Sequence, residues 1–283
     1  MNLLRIYLLL ILALNLLFNT VYATDYLSDS ERTYLKTKKV IVMGVLSEPW
    51  LPYWGGIENT IGIQHDYAVG IGKELDVKIE YRSYQSITDL VAAVHDGDVD
   101  FAIGFSKTKE REKNILFSLP LYNNLRVIWL RDKKLNQQDM NHLKWVCVQG
   151  SSYCETLEQS HYPHILLAQS FLESAEMMKQ GLADATITNY ISLNHYFSPN
   201  SGYDGEIIAD GRLGVEINRI ILPMENDELK NIFDKLILAE ATGNTVNKID
   251  STNIYFLNNK DSLKLLSQEN SNQIVRYTIE EDI

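Results

Sequence analysis

One arginine in a run of charged residues is the first side chain in this sequence whose chemistry suggests ligand binding. Residues 107–113 read KTKEREK, and Arg111 lies three positions after Thr108, which could cap a helix. The first turn of a helix favours acidic residues, because the helix N-terminus carries a positive partial charge. An arginine there indicates another interaction, and its planar guanidinium suits a carboxylate. The alternative is a solvated helix face of alternating charges.

A Gly-Ser-Ser segment at 150–152 is the second candidate, because it follows a predicted strand and precedes a predicted helix. Ser152 and Glu155 fit the S-x-x-E capping box. The free N–H groups at a helix start, together with its dipole, form an anion site. The alternative is an ordinary capped helix that binds nothing.

Aromatic residues follow the first predicted strand in the segment EPWLPYWGG, residues 48–56. Open α/β folds bind ligands at the ends of their strands, so Trp50, Tyr53 and Trp54 could form a stacking wall around a ligand. The alternative is a hydrophobic loop that packs on its own lobe.

Composition and motifs exclude several classes of function. The net charge of −11 lacks the basic surface that nucleic-acid binding needs, so no nucleic-acid partner is expected. The segment VGIGKE at 69–74 has neither the first glycine nor the Ser/Thr of a phosphate loop. The six histidines are scattered, and no zinc-type Cys/His spacing occurs, so we expect neither a metal nor a cofactor.

The N-terminus is typical of an exported protein. Arg5 precedes an apolar run, and Val21 and Ala23 stand at the small-residue positions of a cleavage site, which predicts a signal peptide over 1–23 cleaved after Ala23. An uncleaved anchor is the alternative. We therefore expect a periplasmic location, whose oxidising conditions favour a disulfide between Cys147 and Cys154. Two buried free thiols are the alternative for this pair.

The hydrophobic pattern predicts two α/β units. In the first, strands alternate with helices, at 38–46, 65–75, 77–84, 87–97 and 99–105. The pattern repeats after 126–131, with strands and helices at 144–149, 164–170, 171–181 and 183–189. A strand at 215–223 and a helix at 226–243 then return to the first unit. The expected division is lobe 1 at 38–128 plus 218–256, lobe 2 at 129–217, and a loosely attached tail at 257–283.

Six short motifs occur in an order that resembles the bacterial extracellular solute-binding proteins of family 3. They are Gly-x4-Pro-x2-Pro-Tyr (44–53), Gly-Ile-x2-Asp-Tyr (62–67), Asp-Gly-Asp-Val-Asp (96–100), Ser-x-Thr-x2-Arg (106–111), Phe-Ser-x-Pro-x-Tyr (117–122) and Gly-Ser-Ser (150–152). The resemblance, which extends to Venus-flytrap sensor domains, covers about 38–256. It implies an α/β, type II periplasmic binding protein fold with two lobes joined by two crossing hinge strands.

The resemblance also implies roles for individual residues. Arg111 would hold the α-carboxylate of an amino acid, assisted by Ser106 and by the backbone and hydroxyls of Ser151 and Ser152, and Trp50 would cover the side chain. The family places an acid that binds the α-amino group where this sequence has Asn189, and an amide cannot neutralise an ammonium. The nearest acid, Asp184, is expected at a strand start.

The resulting prediction is a monomeric, non-enzymatic receptor for a small carboxylate-bearing solute, such as an amino acid or a related metabolite. It would serve either an ABC transporter permease or a membrane sensor. If the natural ligand lacks the amine, an Asn189→Asp change should strengthen the binding of amino acids. The alternative is an enzyme on the same fold, such as a cyclohexadienyl-type dehydratase, for which Glu48 and Asp66 are the candidate acids.

Overall fold

The computed structural model describes residues 26–55, 61–196 and 205–241. The predicted signal peptide at 1–23 and the predicted tail at 257–283 lie outside these ranges. Within them the chain forms two sheets with helices packed against them, in the alternating order that the hydrophobic pattern predicts.

The first lobe is built on strands from the N-terminal half of the chain. Its elements are α1 Asp29–Lys38, β1 Val40–Leu46, α2 Ile63–Leu75, β2 Lys78–Tyr84, α3 Ile87–His95, β3 Ala102–Phe105 and β4 Ile115–Phe117. Strands β1 and β2 pair in parallel, and a bridge from Met43 to Phe101 links β1 to the β3 segment, also in parallel. This part is therefore the parallel α/β unit that the sequence predicts.

The second lobe repeats the strand–helix alternation. Its elements are β5 Tyr122–Leu130, β6 Trp145–Val148, α4 Ser152–Gln159, β7 Ile165–Ala168, α5 Phe171–Lys179, β8 Ala185–Asn189, α6 Tyr190–Tyr196 and β9 Glu206–Ile208. Strand β6 runs parallel to both β7 and β8, while β5 runs antiparallel to β8 and β9. The chain then returns through β10 Val215–Pro223 and α7 Asp227–Ala241.

Two strands cross between the lobes. Residues 122–125 of β5 pair antiparallel with residues 215–218 of β10. Beyond this contact β5 pairs with β8 of the second lobe, whereas β10 pairs with β3 and β4 of the first lobe. One eight-stranded sheet therefore extends through both lobes, and β1 and β2 form a separate two-stranded sheet. The predicted type II fold with two crossing hinge strands is confirmed. The crossing lies at 122–125 of β5, slightly before the strand predicted at 126–131, and the exact lobe boundaries stay a prediction.

Helix ends are set by local sequence signals in both lobes. The side chain of Ser86 accepts a hydrogen bond from the backbone N–H of Asp89 at the start of α3, and Ser170 caps α5 in the same way. Gly97 and Gly181 follow these two helices with φ values of 73° each. Serine caps and left-handed glycines are common at helix starts and ends, which is why these two helices were predictable.

Each lobe has its own hydrophobic core. In the first lobe Phe101 packs edge-on against Phe233 of α7, with ring centroids 5.1 Å apart, so the last helix belongs to this lobe. In the second lobe Trp145 and Leu157 are completely buried. Burial of each such side chain stabilises the fold by roughly 1.5–3 kcal/mol. A further cluster joins the lobes, since Val148 and Phe171 of the second lobe pack with Ile87 and Leu90 of the first.

Candidate functional site

A cavity with a volume of about 80 Å³ lies between the two lobes, next to the crossing strands. A volume of this size accommodates several water molecules, at about 10–15 Å³ each. The structure brings all seven predicted ligand-binding residues to its walls, namely Trp50, Tyr53, Ser106, Arg111, Ser151, Ser152 and Asn189. These residues lie in the segments after β1 and β3, at the start of α4 and at the end of β8, so both lobes contribute to one site.

Arg111 follows β3 and points into the cavity. The expected helix with Thr108 as its cap is wrong, because the structure has a single 3-10 turn at Arg111–Lys113 that follows Glu110. The backbone N–H of Arg111 still donates to Oγ1 of Thr108 at 3.2 Å. The guanidinium donates through Nη1 to the carbonyl oxygen of Ser106 at 2.9 Å and through Nη2 to that of Gly150 at 2.7 Å. Its Cζ lies 5.1 Å from the ring centroid of Phe105. Arg111 is thus held by both lobes.

The guanidinium of Arg111 keeps its charge at neutral pH. Burial lowers its pKa from 12.5 to about 10, and the nearby carboxylates of Glu216 and Glu155 oppose that shift. Within the described chain, the guanidinium N–H groups beyond those two bonds have no protein acceptor. A partly buried cation with unused donors can bind a carboxylate in the cavity.

The other charged residues of the 107–113 run face solvent. Lys107 pairs with Glu112 and Lys113 pairs with Glu110, and all four side chains are exposed. The run therefore combines one inward arginine with an exposed charged surface.

The Gly-Ser-Ser turn brings the second lobe close to the first. The predicted capping box of Ser152 and Glu155 is wrong, because α4 begins at Ser152 and its cap is Ser151, whose Oγ accepts from the N–H of Cys154 at 3.4 Å. The hydroxyl of Ser152 instead lines the cavity, where it donates to Oε1 of Glu216 at 3.2 Å. Gly150 has a φ of 78°, and a Cβ there would lie 2.8 Å from Oγ1 of Thr88, so only glycine permits this approach.

A disulfide lies beside this turn. Cys147, at the end of β6, is bonded to Cys154 in α4, with their Cα atoms 5.3 Å apart. Both residues are buried in the core of the second lobe. The bond ties the strand before the Gly-Ser-Ser turn to the helix after it, and so fixes the turn that carries Ser151 and Ser152.

Glu216 of β10 is a buried acid in the cavity that sequence analysis missed. Its Oε1 accepts hydrogen bonds from the hydroxyls of Ser106 at 3.3 Å and Ser152 at 3.2 Å. Its Oε2 accepts from the hydroxyl of Tyr153 at 2.6 Å and from Nδ2 of Asn124 at 3.2 Å. The signal was present, because a glutamate interrupts the otherwise apolar strand VEINRIILP, and a charge within such a strand indicates a special role.

Asn189 is held by protein groups. Its Oδ1 accepts from the hydroxyl of Tyr53 at 2.9 Å and from the backbone N–H of Ser192 at 2.8 Å, and its Nδ2 donates to the hydroxyl of Tyr153 at 3.2 Å. Burial, more than neighbouring charges, raises the pKa of both tyrosines well above 10, so both stay neutral donors. Asn189 thus links the lobes and caps the first turn of α6.

The aromatic segment also connects the lobes. Nε1 of Trp50 donates to Oγ of Ser192 at 3.0 Å, and its ring stacks on Phe171 with centroids 5.3 Å apart. Tyr53 stacks on Tyr122 of β5 with centroids 6.0 Å apart. Trp54 is buried in the core of the first lobe and also touches the cavity. The structure therefore shows both predicted arrangements, a wall of the cavity and packing within the first lobe.

The remaining acids considered in the sequence lie elsewhere. Neither Glu48 nor Asp66 lines the cavity between the lobes. Asp184 precedes β8 and pairs with Arg131 at 2.9 Å, at the strand start where it was expected. In the described ranges no group of three or more His, Cys, Asp or Glu side chains could hold a metal ion. No helix in those ranges is long and apolar enough to cross a membrane.

The alignments with curated relatives cover only part of this chain and a smaller part of each relative. The chain is 26% identical over 182 residues to the membrane-bound lytic murein transglycosylase F of Shewanella halifaxensis, covering 60% of the chain and 38% of the relative. It is 24% identical over 172 residues to the virulence sensor protein BvgS of Bordetella bronchiseptica, covering 53% of the chain and 14% of that protein. The chain thus spans well under half the length of either relative.

Solved structures share the fold. An ancestral arginine-binding protein bound to arginine aligns with a TM-score of 0.64 at 21% identity, covering 76% of this chain and 97% of that one. The VFT2 domain of BvgS from Bordetella pertussis aligns with a TM-score of 0.65 at 22% identity, covering 75% and 92%. An ancestral amino acid-binding protein described as a precursor of cyclohexadienyl dehydratase aligns with a TM-score of 0.65 at 19% identity, covering 78% and 97%.

The family model for bacterial extracellular solute-binding proteins, family 3, matches residues 41–254, most of the chain. This match confirms the resemblance seen in the six motifs and agrees with the two-lobed fold and its central cavity. The chain belongs to the bacterial extracellular solute-binding proteins of family 3.

Proposed function

We propose that this protein captures a small carboxylate-bearing solute between its two lobes and presents it for transport or for sensing. The observation that carries the proposal is the position of Arg111. Its guanidinium lines the cavity, is held by a carbonyl of each lobe, and keeps unused N–H donors. An amino acid or a related metabolite is the solute class that fits such a cation beside aromatic walls.

Closure of the lobes on the solute is part of the proposal. Four contacts join the lobes around the cavity, from Arg111 to Gly150, Trp50 to Ser192, Tyr53 to Asn189, and Trp50 to Phe171. The crossing strands provide only a short connection about which the lobes could turn. A solute that contacts both lobes would favour the closed arrangement, since it binds that arrangement better.

Two measurements test this function. Native mass spectrometry of protein taken from the periplasm identifies any solute that co-purifies. Small-angle X-ray scattering with and without that solute, or with L-glutamine as a defined probe, should show a smaller radius of gyration in the bound state. A saturated protein whose radius of gyration does not change would argue against capture by closure.

Location and partners follow from the same proposal. The leader at 1–23 would direct export and be cleaved after Ala23, which N-terminal sequencing of the mature protein would detect. The partner would be a permease of an ABC transporter or a separate membrane sensor. Deletion of the partner should abolish either uptake of the solute or the response to it, and this difference separates the two roles.

An enzyme on the same fold is the second candidate, and Glu216 is the acid that a dehydratase would require. However, the carboxylate accepts hydrogen bonds from four neutral donors, an arrangement that suits an ionised group which cannot donate a proton. We therefore favour binding. Incubation with prephenate followed by detection of phenylpyruvate tests the alternative, and catalytic turnover would overturn the binding-only proposal.

A further inference from the structure

The cavity carries one charge of each sign. Among its lining residues Arg111 is the single base and Glu216 the single acid. Arg111 donates to backbone carbonyls, and Glu216 accepts from neutral side chains, so neither charge is neutralised by a direct hydrogen bond to the other. A solute that complements these walls has an anionic end and a cationic end.

Glu216 lacks a cationic hydrogen-bond partner in the described chain. The side chain is only 7% exposed, and its four donors come from two serines, one tyrosine and one asparagine. Hydrogen bonds from neutral groups satisfy the oxygen lone pairs but place no cation in direct contact with the carboxylate, and the attraction from Arg111 acts without a hydrogen bond between the two side chains. A cation placed beside the carboxylate would therefore gain attraction in an environment that water does not screen.

Asn124 provides a second acceptor at the same place. It stands directly across from Glu216 in the β5–β10 register and is 3% exposed. Its Nδ2 donates to Glu216, which orients the amide, and its Oδ1 is buried with no hydrogen-bond partner among the described residues. A buried acceptor without a donor is costly, and a ligand N–H would satisfy it.

We propose that Glu216 and Asn124, on the two crossing strands, form a binding site for a protonated nitrogen of the solute. The inference rests on the proposed function and adds to it that the solute is dipolar, with its carboxylate at Arg111 and its cationic nitrogen at the Glu216–Asn124 pair. The missing acid at Asn189 is thus replaced by an acid on β10, at a position that comparison of the motifs does not indicate.

Matched ligands with and without an amine test this site by calorimetry. The probes are L-glutamine with glutaramate, its counterpart without the α-amino group, and L-alanine with propionate. Wild type should bind at least one amine-bearing probe about 10-fold or more tightly than its partner, the equivalent of about 1.4 kcal/mol. Glu216→Gln should bring that ratio close to one by weakening the amine-bearing probe.

Two further variants serve as controls, one on the exposed surface and one at Asn124. Glu158→Gln makes the same charge change on the exposed face of α4 and should leave both affinities unaltered. Asn124→Ala keeps the Glu216 carboxylate and removes the amide oxygen of Asn124. It should therefore lower the ratio of the two affinities by a smaller factor than Glu216→Gln does. If thermal unfolding shows that Glu216→Gln does not fold, Asn124→Ala provides the test of the site in its place.

The outcomes separate this site from the proposed function. If no amine-bearing probe binds wild type more tightly than its partner, or if Glu216→Gln strengthens the deaminated probes, the cation site is overturned. In the latter case Glu216 would be occupying the place of a solute carboxylate, and carboxylate capture would stand. If Arg111→Ala leaves all affinities unchanged while Glu216→Gln still removes the preference for the amine, the proposed carboxylate function fails and the cation site stands.

Discussion

The hydroxyl of Tyr153 donates a 2.6 Å hydrogen bond to Oε2 of Glu216, and both side chains are buried in the cavity between the lobes. The same hydroxyl accepts from Nδ2 of Asn189, whose Oδ1 accepts from Tyr53. The chain of hydrogen bonds therefore runs from the first lobe, through the second, to a crossing strand. Each buried side chain in this series has the next side chain as a hydrogen-bond partner.

Replacing Tyr153 tests the strength of this chain. Tyr153→Phe removes the shortest donor to Glu216 and the acceptor of Asn189, and a buried polar group left without its partner costs about 1–3 kcal/mol. Chemical denaturation should show a loss of that size. Tyr81→Phe is the matched control, because Tyr81 is 40% exposed, and it should change the free energy of unfolding little. Equal stability of both variants would contradict the importance of the chain.

Removal of the guanidinium should reduce affinity strongly. Arg111→Ala breaks a charge-assisted contact in a buried site and should cost about 2–5 kcal/mol in binding of a carboxylate solute. Lys109→Ala, in the same run but on the exposed face, should cost almost nothing, since surface pairs contribute about 0–1 kcal/mol. Calorimetry with the co-purifying solute or with L-glutamine compares the two variants. Equal affinities would contradict the role of Arg111.

The structure changes the expectation for Asn189→Asp. A carboxylate at this position cannot donate to Tyr153, and it would compete with Glu216 for the single hydroxyl proton of that tyrosine. We therefore expect a loss of stability of about 1–3 kcal/mol, and no gain in affinity for amino acids. Thermal unfolding and calorimetry measure the two effects. If Asn189→Asp is fully stable and binds amino acids more tightly, the expectation from the sequence, that an acid at 189 strengthens amino-acid binding, would be supported instead.

The lowered pKa of Arg111 predicts a pH dependence of binding. Burial lowers this pKa to about 10, so the guanidinium is charged below that pH and loses its proton as the pH rises through it. A carboxylate binds the charged form, so affinity should stay constant from neutral pH to about pH 9 and then decrease through about pH 10. Thermal unfolding at each pH separates this effect from denaturation. Unchanged affinity well above pH 11, in a protein that remains folded, would contradict the shift.

The disulfide should be present and should stabilise the second lobe. Thiol titration of denatured, unreduced protein should detect no free thiols, whereas two would contradict the bond. Because Cys147 and Cys154 are 7 residues apart, reduction should cost about 2–3 kcal/mol in the chain-entropy model. A variant with Cys147→Ser and Cys154→Ser provides the control, since reductant should not change its stability.

Much of the fold was predictable from local signals. Strands of β-branched residues and helices bounded by serine and glycine gave the alternating order of both lobes, and the strand at 215–223 was located correctly. Helix α1 was missed, although Ser28 and Glu31 form a capping box that is visible in the sequence. Short strands such as β4 depend on pairing with β10, a contact distant in sequence that periodicity does not report.

Residues of the candidate site were predictable only where the local sequence alone indicated their role. Arg111 stood out because a first helical turn disfavours arginine. Glu216 and Asn124 did not, because their significance arises from being opposite each other on two strands about ninety residues apart in sequence. The cap at Ser151 was misassigned by one residue, since the sequence Gly-Ser-Ser permits either serine to start the helix. Tertiary pairing supplied the missing information.

The crossing of β5 and β10 has a consequence for the order of recognition. Glu216 and Asn124 belong to the short paired segment that joins the lobes, whereas Ser106 and Tyr153 belong to separate lobes. When the lobes turn about this segment, the spacing between Glu216 and Asn124 should stay the same while the other two groups move apart. An arriving solute would therefore meet a stationary pair of acceptors, and selection would precede closure.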